Sequence, residues 1–430
     1  VNSEKKRQVI SAEIQKSGAD IALISQLDSI AWLLNIRGGD VPRLPVLLAF
    51  ATLDSTGDMV IYTDPRKLPN DFAAHVGKGV TVKEEDQLEQ ALHNLGNQGK
   101  RVMADPTMAN AWCQLRCQNS GARLIAATDP VLIPKAQKNE TELAGIRNCH
   151  VRDGSAVSRY LAWIDREVST GKLYNEAELA DKLESFRREL TDIHDLSFDT
   201  ISAAGKNGAL CHYNHMNGTP AMLEMDNLYL VDSGGQYSDG TTDITRTVII
   251  GEPTAEHRKM YTLVLKGHIA LARAVFPKGT SGVQLDVLAR QFLWQERLDY
   301  DHGTGHGVGS FLSVHEGPQR LSRTTDVPLE VGMILSNEPG YYRAGAYGVR
   351  IENLIVVTLA PQLPSGDARV MFEFETITLA PIDLRLIDAG MLSQQEKNWL
   401  NSYHKNVYKK LLPLLDTATA QWLAQATAKI

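Results

Sequence analysis

Residues 229–248 read YLVDSGGQYSDGTTDITRTV. An apolar strand runs into Asp232, a glycine-rich turn follows, and Asp243 opens a second strand. Side chains alternate along a strand, so Leu228, Leu230 and Asp232 share one face, as do Asp243, Thr245 and Thr247. A hairpin here is expected to bring Asp232 and Asp243 side by side and to leave Asp239 in the turn. Turn aspartates are usually solvated. Asp232, however, directly follows LYLV, where a carboxylate needs a partner.

The same device recurs downstream. In ILSNEPGYY (334–342) Glu338 ends an apolar strand before a Pro-Gly turn. GVRIENLIVV (348–357) is expected to be one strand with Arg350 and Glu352 on one face, alternating with Val349 and Ile351. A surface Arg–Glu pair would contribute about 0–1 kcal/mol, but the flanking residues are those of a buried strand. Between these lies DHGTGHGVGSFLSVHEGP (301–318), which holds three of the chain's 12 histidines, a concentration that asks for a chemical reason. It is not HExxH, because Gln319 stands where the second histidine would be, nor does it fit GxGxxG. There is no GxxxxGK[ST] and no GxSxG motif. Alternating glycines at 303, 305, 307 and 309 suit an extended chain pressed against a neighbour, here expected to be substrate.

Four carboxylates (Asp232, Asp243, Glu338, Glu352) and one histidine carry about four negative charges, which two divalent cations cancel. An oxygen-rich shell with one imidazole suits Mn²⁺, Co²⁺ or Zn²⁺. Two such ions about 3.5–4 Å apart share a hydroxide that is nucleophilic at neutral pH. Without cations, converging carboxylates repel and take up protons.

Outward from these motifs, 430 residues imply more than one domain. Residues 1–136 alternate helix and strand patterns, the signature of an α/β domain. Two prolines and a polar cluster in TDPVLIPKAQKNETE (128–142) close it. Asn139 then reads as an N-cap with Glu142 as its capping-box partner. From 137 onward the order helix, helix, strands occurs twice, giving two similar halves in an α+β layout with antiparallel sheets. Residues 386–430 read as a helical tail.

A net charge of −7 and a pI near 6.0 argue against a nucleic-acid partner. No apolar run approaches membrane-spanning length and no leader is apparent, so no membrane partner is expected. The chain begins at Val1, as a processed or trimmed chain would. Four cysteines are too few for a disulfide framework, and Cys113 and Cys117, one helical turn apart, fit buried small residues. A cytoplasmic location follows as the default. The short basic start SEKKR reads as a solvated helix face.

Taken in order, VDSGGQYSDGTTDITRT, HGTGHGVGSFLSVHEGP, EPGYY and VRIEN resemble the metallopeptidases of the pita-bread fold. Among these the chain is most similar to aminopeptidase P, the Xaa-Pro aminopeptidases, in their long three-domain form. LDSIAWLLNIRGGDVP, SFDTISAAGKNGALCHY and LIDAGMLSQQEKNWLNSYHKNV extend the resemblance over nearly the whole chain. It implies a creatinase-like α/β domain at 1–136 and a pita-bread catalytic domain with pseudo-twofold halves at 137–430. The long form's first domain would be missing, so the chain would be a fragment.

The resemblance assigns Asp232, Asp243, His306, Glu338 and Glu352 as ligands of two divalent metal ions, Mn²⁺ first, with Zn²⁺ or Co²⁺ as alternatives. It assigns His212, His302 and His315 to substrate handling and proton transfer, with His315 or His302 at the oxyanion and Glu338 as proton shuttle. His215, the other histidine of CHYNH, finds no counterpart. Tyr342 and Arg350 would line the proline pocket and brace the site. The implied activity is hydrolysis of the first bond of peptides with proline second, by a homodimer. A prolidase, cutting Xaa-Pro dipeptides, and a non-catalytic peptide-binding module are the alternatives.

Overall fold

The computed structural model describes residues 1–364 and 366–430, and the chain divides into two compact units, Val1–Lys135 and Ala136–Ile430. In the first, a six-stranded sheet runs in the order Val80–Lys83, Met59–Tyr62, Phe50–Asp54, Ile21–Ile24, Arg101–Ala104, Arg123–Ala126. Ile21–Ile24 is parallel to Arg101–Ala104 and antiparallel to Phe50–Asp54. Ile10, Ile14 and Leu33 fill one side of this unit's core; Leu23, Leu92, Cys113 and Cys117 fill another cluster. Both cysteines are fully buried on helix Ala111–Asn119, which pushes their thiols up to about 12 and about 11.

The basic start departs from expectation. Lys6 and Arg7 are buried on helix Ser3–Lys16. Lys6 Nζ donates to Trp32 O at 2.8 Å and Asn35 Oδ1 at 2.6 Å, capping the C-terminal end of helix Leu27–Leu34 where carbonyls lack partners. The Arg7 guanidinium donates to the carbonyls of Gly57 and Lys78, each at 2.6 Å. Long aliphatic stems let both cations reach inward, something a charge pattern alone does not reveal.

The second unit opens with helix Glu140–Ser169, started by the Asn139/Glu142 capping box, and helix Glu176–Arg188, started by an equivalent box at Asn175/Glu178. These cover an antiparallel sheet ordered Ile244–Ile250, Asn227–Ser233, Ile201–Ala204. Tyr160, Leu161 and Ile164 pack against Tyr229, Val231 and Val248. A small sheet of Gly240–Thr241, Gly235–Tyr237 and Ile193–Leu196 adjoins. Helices Ala255–Ala272 and Gly282–Gln295 then repeat the scheme. They precede a six-stranded antiparallel sheet ordered Val275–Pro277, Met371–Thr376, Asn353–Leu359, Ile334–Asn337, Gly305–Gly307, Glu316–Leu321. A ribbon of Gly340–Arg343 and Tyr347–Arg350 stands apart. Helices Gln394–Leu411 and Thr417–Ala426 end the chain.

Two sequence expectations need correction. GVRIENLIVV is not one strand: it breaks at Ile351–Glu352, between the ribbon and the six-stranded sheet. ILSNEPGYY breaks at Glu338–Pro339, where the sequence placed the end of its strand. Each break carries a glutamate, because a chain changing sheets releases a side chain from the strict up-down alternation. Nor do Asp232 and Asp243 face each other directly. Asp232 pairs with Thr245, and Asp243 sits just beyond the ladder, a diagonal neighbour on the same face. The cause is the two-residue turn at Ser238–Asp239, which closes the Gly235–Tyr237/Gly240–Thr241 ribbon and sets a register in which Thr245, not Asp243, falls opposite Asp232.

Candidate metal centre

The five expected ligands meet where the two halves adjoin. Asp232 is on strand Asn227–Ser233, Asp243 immediately precedes Ile244–Ile250, His306 is the middle of Gly305–Gly307, and the two glutamates occupy the strand breaks. Ligand atoms of Asp243, His306 and Glu352 lie within 4.8 Å of one another. His306 Nε2 is 3.4 Å from Asp243 Oδ2 and 3.4 Å from Glu338 Oε1. Its Nδ1, 2.9 Å from Gly307 O, must carry the proton, since a carbonyl only accepts. With that proton on Nδ1, the neutral ring presents an Nε2 lone pair to the carboxylates, the tautomer a metal ligand needs.

Supporting side chains fix each carboxylate. Thr245 Oγ1 donates to Glu352 Oε2 at 2.7 Å and accepts from Arg350 Nε at 3.1 Å. Ser336 Oγ donates to Glu338 Oε1 and accepts the His306 N–H, each at 2.9 Å. Arg246, fully buried, donates to the carbonyls of Glu352 at 2.6 Å and Thr245 at 2.9 Å, and to Tyr403 Oη at 2.9 Å. It clamps the strand break to the tail. Thr245 was legible as sharing a face with Asp243. Arg246 betrayed itself only as a charge inside the apolar strand ITRTVII, and Ser336 had no distinguishing signal.

Arg350 braces the centre from the other side. Its Nη2 donates to Asp232 Oδ2 at 2.6 Å and its Nη1 to Tyr342 Oη at 2.9 Å. The Tyr342 hydroxyl in turn lies 2.8 Å from His302 Nε2, while His302 Nδ1 lies 2.7 Å from Gly303 O. Both ring nitrogens of His302 are thus occupied in the neutral form, so it has no N–H to offer an oxyanion; this corrects that part of the expectation. Burial first, then the charges of Arg350 and Arg290, push its pKa down to about 4. His315 stands edge-on to His306, ring centroids 4.4 Å apart, and is exposed. Its pKa too is pushed down to about 4, by desolvation and then by His306, Arg320 and His212. His212, exposed on the loop after Gly205–Ala209, is the third member of this histidine group.

Two of the glycines of 303–309 are required by packing. A Cβ at Gly305 would collide with the Ser336 carbonyl, and one at Gly307 would sit 2.6 Å from Glu316 O. Both allow neighbouring strands to close in.

The electrostatics test whether cations fit. Burial, then the carboxylates of Asp232 and Glu338, hold Asp243 well above the ordinary aspartate range. Burial, then Asp243, Glu338 and Asp232, do the same to Glu352. Glu338 is raised by burial, with Asp232 adding and His306 and Arg350 opposing. Among the described residues, Asp232 Oδ1 is buried without a hydrogen-bond partner. An orphaned carboxylate oxygen beside three crowded carboxylates and a preset imidazole lone pair fits divalent cations bound by oxygen and one nitrogen.

The metallopeptidase family M24 model matches residues 144–359, a model of the creatinase/prolidase N-terminal domain matches 1–142, and one of the C-terminal region of that peptidase family matches 370–430. The chain belongs to metallopeptidase family M24. A probable Xaa-Pro aminopeptidase P of Tuber melanosporum is 43% identical over 99% of this chain and 71% of that protein. A probable Xaa-Pro aminopeptidase P of Sordaria macrospora is 44% identical over 97% of this chain and 70% of its own length. The crystal structure of a Caenorhabditis elegans X-prolyl aminopeptidase, described as a cytosolic enzyme with a di-nuclear active site, superposes with a TM-score of 0.94 at 36% identity. It covers all of this chain and 71% of that one. A Bacillus anthracis Xaa-Pro dipeptidase shares the fold, with a TM-score of 0.68 at 23% identity over 89% of this chain and 99% of its own. The M24 assignment agrees with the pita-bread fold and the two-domain order expected from the sequence.

Proposed function

We propose that this M24 metallopeptidase hydrolyses the bond between an N-terminal residue and a following proline, and that Asp232, Asp243, His306, Glu338 and Glu352 hold two divalent ions. The observation that carries this is the convergence of Asp243, Glu338 and Glu352 on His306, with the Asp232 carboxylate beside them, in a chain 43% identical to a probable Xaa-Pro aminopeptidase P. Mn²⁺ is the first choice on donor chemistry, with Zn²⁺ or Co²⁺ as alternatives. Bound there, such ions supply a nucleophilic water and a Lewis acid for the scissile carbonyl.

The protein's own groups do the rest. Glu338 takes a proton from the attacking water and passes it to the prolyl nitrogen as the C–N bond breaks. That nitrogen belongs to a tertiary amide with no N–H, which general peptidases fit poorly. Neutral His315, whose ring is not tied down, donates its N–H to the developing oxyanion. Tyr342 and His302, linked to Arg350, wall the space for the proline ring, and His212 faces the peptide from the opposite loop. A cytoplasmic placement is supported by the Caenorhabditis elegans relative, described as cytosolic.

Purified protein with added Mn²⁺, assayed on Gly-Pro-Pro and Gly-Pro, tests the reading. The tripeptide should be cleaved to glycine and Pro-Pro. Cleavage of the dipeptide alone would instead make the chain a prolidase, and cleavage of neither with no metal bound would leave a peptide-binding module. Glu338→Gln with both ions retained should abolish turnover; near-normal turnover would remove Glu338 from the scheme.

A further inference from the structure

The loop carrying His302 is held from behind by helix Gly282–Gln295. Arg290, fully buried on that helix, uses four of its five N–H groups. Nε donates to Asp286 Oδ2 at 2.7 Å, Nη1 to Asp299 Oδ1 at 2.9 Å and Tyr300 O at 2.7 Å, and Nη2 to the carbonyl of His302 itself at 2.7 Å. Its guanidinium also lies over the Tyr300 ring, 4.0 Å from the centroid, and that ring is 4.9 Å from the imidazole of His302. Asp286, the other arm, accepts from Thr304 Oγ1. The Thr304 carbonyl in turn accepts the N–H of Glu338 at 2.9 Å.

From His302 the line runs on through Tyr342 and Arg350 to Asp232. An unbroken set of hydrogen bonds therefore joins a helix that supplies no ligand to a carboxylate of the metal centre. Such a chain demands one orientation at each step. The Tyr342 hydroxyl, accepting from Arg350, has its single proton left for His302 Nε2, and His302 must then be protonated on Nδ1. That tautomer is held only while the chain at 302–304 keeps the Gly303 carbonyl beside Nδ1, and Arg290 grips the preceding carbonyl, that of His302.

We propose that Arg290, with Asp286, is a positioning residue for substrate binding, clamping the 299–304 loop so that His302 and Tyr342 present a fixed wall to the substrate. The charge of Arg290 also disfavours a proton on His302. This rests on the activity proposed above, but one of its readouts does not. A lysine at 290 keeps the charge and loses the fork, because one ammonium cannot serve two carboxylates and two carbonyls along fixed planar directions.

The test compares wild type, Arg290→Lys, His302→Ala and the double variant on Gly-Pro-Pro, with metal content measured for each. Arg290→Lys should raise KM about 10-fold, one misaligned hydrogen bond's worth, with kcat changed less than about 3-fold and two ions still bound. The double variant should be no worse than His302→Ala. A KM within twofold of wild type, loss of metal, or multiplication of the two single effects would overturn the proposal. If Arg290→Lys fails to fold, Asp299→Asn, at a part-exposed position, should raise KM about 3-fold by loosening the same grip, and an unchanged KM would overturn it equally. Independently of turnover, histidine ¹⁵N spectra should show His302 as the Nδ1-protonated tautomer in wild type and as an averaging ring in Arg290→Lys. An unaltered His302 signal in the variant would also overturn it. If wild type leaves Gly-Pro-Pro intact, the activity fails, and the spectrum alone judges the clamp.

Discussion

Two buried charge clusters lie in the second unit and are built on opposite plans. In one, Arg187 grips Asp153 with Nε to Oδ1 at 2.7 Å and Nη2 to Oδ2 at 3.2 Å, and the Tyr237 hydroxyl donates to the same carboxylate at 2.7 Å. Burial works against the Asp153 charge, but Arg187 and Tyr237 hold its pKa below the usual range. In the other, Asp232, Asp243, Glu338 and Glu352 converge, and one guanidinium, Arg350, is bonded to one of the four. There burial and mutual repulsion win, and Asp243, Glu338 and Glu352 are pushed up. A buried carboxylate with its own cation is architecture; a buried surplus of carboxylates is a request for cations from outside.

The sharpest way to break this contrast is to remove a ligand. Asp243→Asn should cut kcat/KM by about 10³-fold or more, some 4 kcal/mol of transition-state stabilisation, and lower the metal bound per chain. Full activity with full metal content would dismantle the centre. Arg187→Met should do the reverse, leaving metal content unchanged but costing about 3–5 kcal/mol in urea unfolding, because Asp153 becomes an unpaired buried charge. Chelation probes the surplus directly. Protein at a free metal concentration 100-fold above Kd should unfold about 2.7 kcal/mol harder than the chelated form. A midpoint indifferent to chelator would mean the carboxylates are settled without cations.

A third buried group offers the smallest effect. His404 is fully buried on helix Gln394–Leu411, its Nε2 accepts the Ile382 N–H at 3.0 Å, and burial, then Arg246, pushes its pKa down to about 3. The unfolded chain takes up this proton near pH 6.5 while the folded chain resists until about 3. Stability is therefore intact above 6.5 and lost as pH falls, at about 1.4 kcal/mol per pH unit from this residue. Between pH 7 and 5.5, wild type should lose more stability than His404→Gln, in which the amide oxygen can still accept from Ile382. Equal losses would show that His404 titrates normally.

Much of the candidate site was readable in the chain, because a carboxylate placed directly after an apolar strand is anomalous wherever that strand packs. Asp232 and Glu338 declared themselves this way, and the near-twofold order of helices and strands followed from periodicity and from capping boxes such as Asn139/Glu142. The buried Lys6 and Arg7 were misread because their partners, the carbonyls at Trp32, Gly57 and Lys78, carry no side-chain signature. His302 was misjudged because both its tethers depend on where Tyr342 and the 303 carbonyl come to lie.

By itself, then, the sequence determined the element types, the faces they bury and the kinds of residue delivered to strand ends. These are encoded locally, in the periods of 2.0 and 3.6 residues and in caps a few residues long. The tertiary structure alone decided that Asp232 opposes Thr245, that the chain breaks at Glu352, and that Arg350 finds Asp232 across 118 positions. Register and partner choice over such separations are settled by which cores close and which buried charges must be met, and no local pattern records that.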